Sequence, residues 1–368
     1  MTIAVQISLT GSTADHFNYR CFTILAALHP GVHFVFIYDR PFNPAPGLPS
    51  NITPVLVGPQ MRNGLLHHYW YQYKLPGILN HYNAAMFISS GSSCSLRSDT
   101  QQCITISDLS VFEPNGQRYM KKFIRRFIGK ATKIVVPNIF MKDRLSKLDP
   151  QSAEKLTVIL PGTDSEVQPL PYNKKEEVKK QYAGGPEFFI LHGAGTKMAT
   201  IITVLKAFSH FKKWQKSNMQ LLIIPAVEHE QPLQKTLLSY KYREDVKLLS
   251  IASLESSTTA LLLSSAYAAI FLPDKERLFN DMLVALQTNT PVILPEREFY
   301  SSGLGDAAAY TAENDKAISQ MMILLYKDED LRNRLIGNGR LLTRSLEWEK
   351  TAVLYWKTII APSFATVQ

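Results

Sequence analysis

Asp274, Lys275, Glu276 and Arg277 stand together directly after a short apolar run, residues 268–272, that stops at Pro273. Such a run reads as a buried strand, with Pro-Asp as its end. From about Phe279 to Gln287, Met282, Leu283 and Leu286 recur at helical spacing. Asn289 follows where a left-handed residue stops a helix, and residues 291–294 read as the next buried strand. The product is a strand–loop–helix–strand unit with charged side chains at the carboxyl end of its first strand. In open α/β sheets that end is where ligands bind, so recognition of a polar ligand is the chemistry to expect.

The remainder of the chain supplies elements of the same kind. Residues 3–7, 33–38, 52–57, 84–89, 103–106 and 134–138 read as strands in the first half, and 188–192, 220–225 and 246–249 in the second, with 251–254 as the loop before the next helix. Helical patterns separate many of them, among them 201–214 and 258–265, which predicts parallel, doubly wound sheets. The strand 188–192 ends in Gly193-Ala194-Gly195-Thr196-Lys197. A helix is expected over residues 118–133, with Arg118, Lys121, Lys122, Arg125 and Arg126 on one face and Phe123, Ile124, Phe127 and Ile128 beside it. Three readings of that face stand open: a solvated outer surface, peripheral attachment to anionic lipid, and nucleic-acid binding, for which no recognised motif accompanies the charge.

A chain of 368 residues is long enough for two domains with full cores, and 45% hydrophobic with 19% charged residues is ordinary for a globular protein. The net charge is +9. No apolar run approaches a membrane span, and the N-terminus reads as a strand rather than a signal peptide. Cys21, Cys94 and Cys103 have neither metal spacing nor a pairing framework, so a reducing cytoplasm is the expected location.

Taken together, these motifs resemble retaining GT-B glycosyltransferases of the glycogen synthase and sucrose synthase type, family GT4. The resemblance runs from Ile3 to about Ile360. It rests on Thr290-Pro291-Val292-Ile293, on Gly305-Asp306-Ala307-Ala308, on Leu346-Glu347-Trp348-Glu349-Lys350-Thr351-Ala352, and on Lys197 behind its glycines. It implies a GT-B fold: two Rossmann-like doubly wound parallel-sheet domains facing a cleft. The expected divisions are an acceptor-side domain over 1–166, a linker over 167–186, a donor domain over 187–345 and a returning helix over 346–368.

The resemblance also implies roles. Lys197 would hold the diphosphate of a nucleotide-sugar donor such as a UDP- or GDP-sugar, with Gly193 and Gly195 shaping its loop. Glu276 would bind donor hydroxyls; its alternative is an exposed loop carboxylate. Arg277, Leu278 and Phe279 occupy the loop where the family has glycines, and Arg277 is a candidate for the missing cation. On the acceptor side stand Gly11, where the family has Gly-Gly, then Ser107, where it has His, and Asp108, whose alternative is a turn cap. Thr196 replaces the family's Arg, and Val284 its second Glu, with Asp281 one turn earlier as a substitute.

Two functions follow. One is transfer of a sugar, with retention and without a metal or bound cofactor, to a glycan or lipid-linked acceptor. The other is a catalytically inactive GT-B scaffold or partner of an active transferase. No nucleic acid is expected as partner. Contact with anionic membrane through residues 118–133 is compatible with either.

Overall fold

Apolar runs bounded by Gly, Pro and Asn become short parallel strands in the computed structural model, which describes residues 1–7, 13–41, 47–107, 112, 118–164, 166–250, 256–276, 278 and 280–365. The chain divides into two compact units, Met1–Gly162 with Leu346–Gln368, and Thr163–Ser345.

In the first unit the strands are β1 (Thr2–Ile7), β2 (His33–Tyr38), β3 (Ile52–Leu56), β4 (Ala84–Ile88), β5 (Gln101–Thr105), β6 (Lys133–Val136) and β7 (Leu156–Val158). In the second they are β8 (Phe188–Gly193), β9 (Gln220–Pro225), β10 (Val246–Leu248), β11 (Ala268–Ile270), β12 (Val292–Pro295) and β13 (Ala309–Thr311). The sheet orders are β3-β2-β1-β4-β5-β6-β7 and β10-β9-β8-β11-β12-β13. Neighbouring strands pair in parallel throughout. Each sheet therefore begins in its middle, grows one way, and then grows the other from the strand beside its first. That is the doubly wound order, with its switch between β1 and β4 and again between β8 and β11.

The strands are near-continuously apolar because helices cover both faces; all six residues of β8 are buried. The core of the second unit combines Phe189, Leu191, Ile223, Ile270 and Ile293 with Phe208, Phe211 and Met322 from its helices. In the first unit, Ile3, Val5, Phe34 and Phe36 pack with Phe22 and with Trp348, Tyr355 and Ile359 from the C-terminal segment. The opposite face holds Trp70 and Tyr71, which are packing aromatics: both are buried, and Trp70 Nε1 donates to Val57 O at 2.9 Å.

Several boundaries differ from expectation. The basic helix runs Arg118–Lys130 and does not reach Lys133, which opens β6. Thr132 breaks it by turning its N–H (2.9 Å) and its hydroxyl (2.9 Å) to Gln102 O on β5, and the β-branched run Ile134-Val135-Val136 then favours a strand. Residues 167–186, expected as a linker, lie within the second unit. They carry the helix Tyr172–Ala183, where buried Lys179 pairs with Glu176 at 2.8 Å and also with Glu187. Helices Val227–Leu238, Glu298–Leu304 and Asp315–Lys327 had no counterpart in the sequence reading. Residues 251–254 lie outside the described residues.

The C-terminal segment is locked at one point by glycine. A Cβ added at Gly162 would stand 2.4 Å from Trp348 Cδ2 and 2.6 Å from its Cα, and Trp348 itself packs edge-on against Phe17 at 5.6 Å. Because backbone as well as ring must give way, Gly162→Ala is expected to cost about 1–3 kcal/mol, read as a lowered melting temperature. An unchanged melt would show that the segment does not depend on this contact.

Candidate functional site

Two loops meet at the carboxyl ends of β8 and β11, the switch point of the second sheet. The first is Gly193–Lys197. Gly193 pairs with Pro225, and a Cβ there would come within 2.8 Å of Ile224 O, so only glycine lets β8 lie this close to β9. Gly195 has a φ of 69°, the left-handed region that favours glycine. It turns the chain into the helix Met198–Trp214, whose N-cap residue is Lys197 and whose first turn receives no side-chain cap bond. Lys197 is 74% exposed, so its ammonium stands in solvent at the head of a 17-residue helix. A cation and an open helix N-terminus at one place make a site for anions.

The start of the second loop, Pro273 to Lys275, is tied down. The Asp274 N–H donates to Gly195 O at 2.9 Å, joining the two loops through their backbones. Arg297, just beyond β12, donates from Nη1 to Pro273 O at 3.1 Å and Asp274 O at 3.2 Å, and from Nε to Glu313 Oε1 at 2.9 Å. The Tyr300 hydroxyl donates to Lys275 O at 3.4 Å. Finally, Lys197 Nζ lies 3.3 Å from Asp274 Oδ2, whose side chain is only 18% exposed. Sequence reasoning missed Arg297 and this role of Asp274. The signal available was position alone: Arg297 follows the run at β12 as Asp274 follows the run at β11.

The helix after this loop is Asn280–Gln287. Its end is fixed as expected. Asn289 has a φ of 68°, the Thr290 N–H reaches Ala285 O at 2.9 Å and the Asn289 N–H reaches Leu286 O at 3.4 Å. This is the Schellman arrangement. Arg340 bonds the Asn289 carboxamide, while Gly339 lets the helix Glu329–Ser345 approach to where an added Cβ would be 3.3 Å from Leu286. The helix is thus held from behind with its N-terminus directed to the loops.

The expected site residues separate by position. Gly193, Gly195 and Lys197 share one loop, and Glu276, half-buried, lies in the second. Asp281 is on the first helical turn, but its carboxylate is 2.8 Å from Nε2 of buried His192 on β8, a partner that the sequence did not suggest. Leu278 is 7% exposed and Val284 8%, so both side chains belong to the packing. Thr196 is 3% exposed and its hydroxyl has no hydrogen-bond partner among the described residues. Arg277 and Phe279 lie outside the described residues.

In the first unit, Ser107 is exposed just past β5, whereas Gly11 and Asp108 lie outside the described residues. The switch point of that sheet carries a neutral polar cluster. Gln6 Oε1 accepts from the Tyr71 hydroxyl at 2.6 Å, the Ser89 hydroxyl at 3.1 Å and the Ser90 N–H at 3.3 Å. Cys21, Cys94 and Cys103 are buried free thiols; burial pushes Cys94 and Cys103 up to about 12. Among the described residues no helix is long and apolar enough to cross a membrane.

Comparison with known proteins agrees with this architecture. Residues 173–342 match the family described as Glycosyl transferases group 1. The O-antigen chain mannosyltransferase RfbU of Salmonella typhimurium is 22% identical over 226 residues, a match spanning 60% of this chain and 60% of that protein. The structure of WaaG, a glycosyltransferase involved in lipopolysaccharide biosynthesis, superposes with a TM-score of 0.75 at 14% identity, covering 98% of this chain and 100% of that one. Anabaena HepE, solved with UDP and glucose, superposes with a TM-score of 0.70 at 8% identity, covering 98% and 99% of the two chains. The chain has the GT-B fold, and residues 173–342, within its second unit, resemble the glycosyl transferases group 1 family.

Proposed function

We propose that the chain transfers a sugar from a nucleotide-sugar donor to a glycan or lipid-linked acceptor with retention of configuration. The carrying observation is Lys197: an exposed cation at the N-cap of an uncapped helix, at the switch point of a sheet in the unit that resembles group 1 transferases. Support for the ligand class comes from Anabaena HepE with UDP and glucose. Support for a cell-surface glycan as product comes from RfbU and WaaG.

In this reading the bond between the sugar's anomeric carbon and the diphosphate oxygen breaks, the acceptor oxygen bonds to the same face, and the acceptor's proton passes to the departing diphosphate oxygen. Negative charge gathers on the departing diphosphate, where Lys197 and the amides of the first turn of Met198–Trp214 stabilise it by position alone. Glu276 holds donor hydroxyls. Loop rigidity, supplied by Arg297 and the Asp274–Gly195 bond, keeps these groups in place before reaction.

A second reading has specific support. Val284 offers no hydrogen bond, Thr196 no charge, and Asp281 is engaged with His192. Losing a charge-assisted contact to the donor typically forfeits about 1.5–3 kcal/mol, about tenfold or more in affinity. These features suit a GT-B scaffold or partner that does not turn over.

Thermal unfolding against UDP, GDP, ADP and their sugars tests the first reading. At 100 times its Kd a ligand adds about 2.7 kcal/mol and raises the melt by several degrees. One nucleotide is expected to do so, and Lys197→Ala to abolish the shift; a panel without effect removes the donor site. Release of free nucleotide from the donor that binds, measured over hours, separates a transferase from a silent binder.

Asp281→Ala distinguishes a structural from a ligand role. Loss of the His192 contact is expected to lower the melt of the free protein by about 1–2 kcal/mol, with nucleotide affinity changed less than about twofold. A large loss of affinity with an unchanged melt would return Asp281 to the donor.

A further inference from the structure

We propose that one face of the first unit docks on an anionic lipid surface. Two helical segments build it. The helix Arg118–Lys130 buries Ile124, Phe127 and Ile128 and exposes Lys122, Arg125 and Arg126. The run Gly64–Tyr69 and the π-helical turn Trp70–Lys74 bury Trp70 and Tyr71. They leave Leu65 84%, Tyr69 42% and Tyr73 51% exposed. The segments meet where His68 and Phe123 lie 5.2 Å apart, so their exposed residues form one surface.

Charge and apolar groups are interleaved across it. Lys122 and Arg126 lie over Phe123 at 5.5 and 5.7 Å, Lys74 over Tyr69 at 5.8 Å and Arg97 over Tyr73 at 4.0 Å. Acidic residues are absent from the sequence between Asp39 and Asp99 and again from Arg118 to Lys142. Asp99 pairs with Lys130 at 3.5 Å, whereas Lys74, Arg97, Lys122, Arg125 and Arg126 make no ion pair among the described residues. A surface of one sign with no internal neutralisation calls for an anionic partner.

The aromatic residues decide which anion. Tyr69 and Tyr73 stack on one another at 5.7 Å, and Lys74 and Arg97 lie over their rings. Ring faces needed as platforms for bases are already engaged, which disfavours single-stranded nucleic acid. Exposed Leu65, tyrosine edges with hydroxyls, and cations on long stems are what the boundary between headgroup and acyl chain receives. The surface stands on these side chains and does not depend on the donor site.

Sedimentation of the full chain with vesicles tests it. Binding is expected to phosphatidylglycerol-containing vesicles and not to pure phosphatidylcholine, and to weaken as salt is raised. Each cation near such a surface contributes about fivefold, so K122E/R125E/R126E is expected to lose at least about a hundredfold with the melt unchanged. Tyr69→Ser with Tyr73→Ser is expected to lose affinity as well, while K213E/K216E in the second unit has no effect. No binding, equal binding to both vesicle types, a charge-reversed triple variant that binds normally, or retention on a DNA oligonucleotide but not on vesicles would each overturn the proposal.

Discussion

A parallel sheet that starts in its middle can grow in one direction only until its edge is complete, after which the chain must return to the other side of the first strand. In the second unit that return places β11 beside β8, separating the helices that follow them onto opposite faces and leaving the two strand ends uncovered. The backbone bond from Asp274 to Gly195 follows from this topology rather than from any chemistry of the site. So does the short reach between Lys197 and Asp274. Once the crossovers take their usual hand, these two loops have nowhere else to be.

Around that point the residues divide by what fixes their identity. Gly193, Gly339 and Asn289 are set by close approach or by backbone conformation, and each has a neighbour that explains it: Ile224, Leu286 and the Schellman turn. Arg297 is set by the carbonyl oxygens of Pro273 and Asp274, to which it donates. Lys197 has no such explanation. It is exposed, caps nothing with its side chain, and among the described residues pairs only with the carboxylate of Asp274. A residue that the fold does not need, held at the place where the fold leaves an opening, is the strongest chemical signal in the unit.

Much of the fold was readable because buried parallel strands announce themselves as apolar runs, and β2 and β9 were recovered to the residue. Helix ends were readable where one residue type answers one backbone need, as at Asn289. The basic helix was overextended because charge continues through Lys133, although Thr132 and the β-branched run after it had changed the backbone preference. Helix Val227–Leu238 went unseen because Pro232 sits inside it, beyond the first turn, where a missing N–H ordinarily argues against a helix. In the candidate site, the two loops were legible as strand ends, while the contacts among their residues were not. His192 and Asp281 are far apart in sequence, and their pairing depends on β8 and the helix Asn280–Gln287 being neighbours. Arg297 gives its information only through the carbonyls it reaches.

The Lys197–Asp274 pair bears on how a donor would enter. An ion pair with one partner largely in solvent is worth about 0–1 kcal/mol, so a phosphate can take the ammonium at small cost. Asp274 cannot follow its partner, since its backbone is held by Gly195 and Arg297. The carboxylate would therefore stay beside a diphosphate placed here and oppose it, unless the ammonium moved between them. Lys197 has the freedom for that movement because its side chain is exposed. A guanidinium at residue 196 would reinforce the attraction, but Thr196 presents a buried hydroxyl instead. One mobile cation beside one fixed anion gives a weaker and more position-dependent hold than two cations. For a donor of the proposed class, that balance would make occupancy sensitive to where along the ligand its negative charge lies.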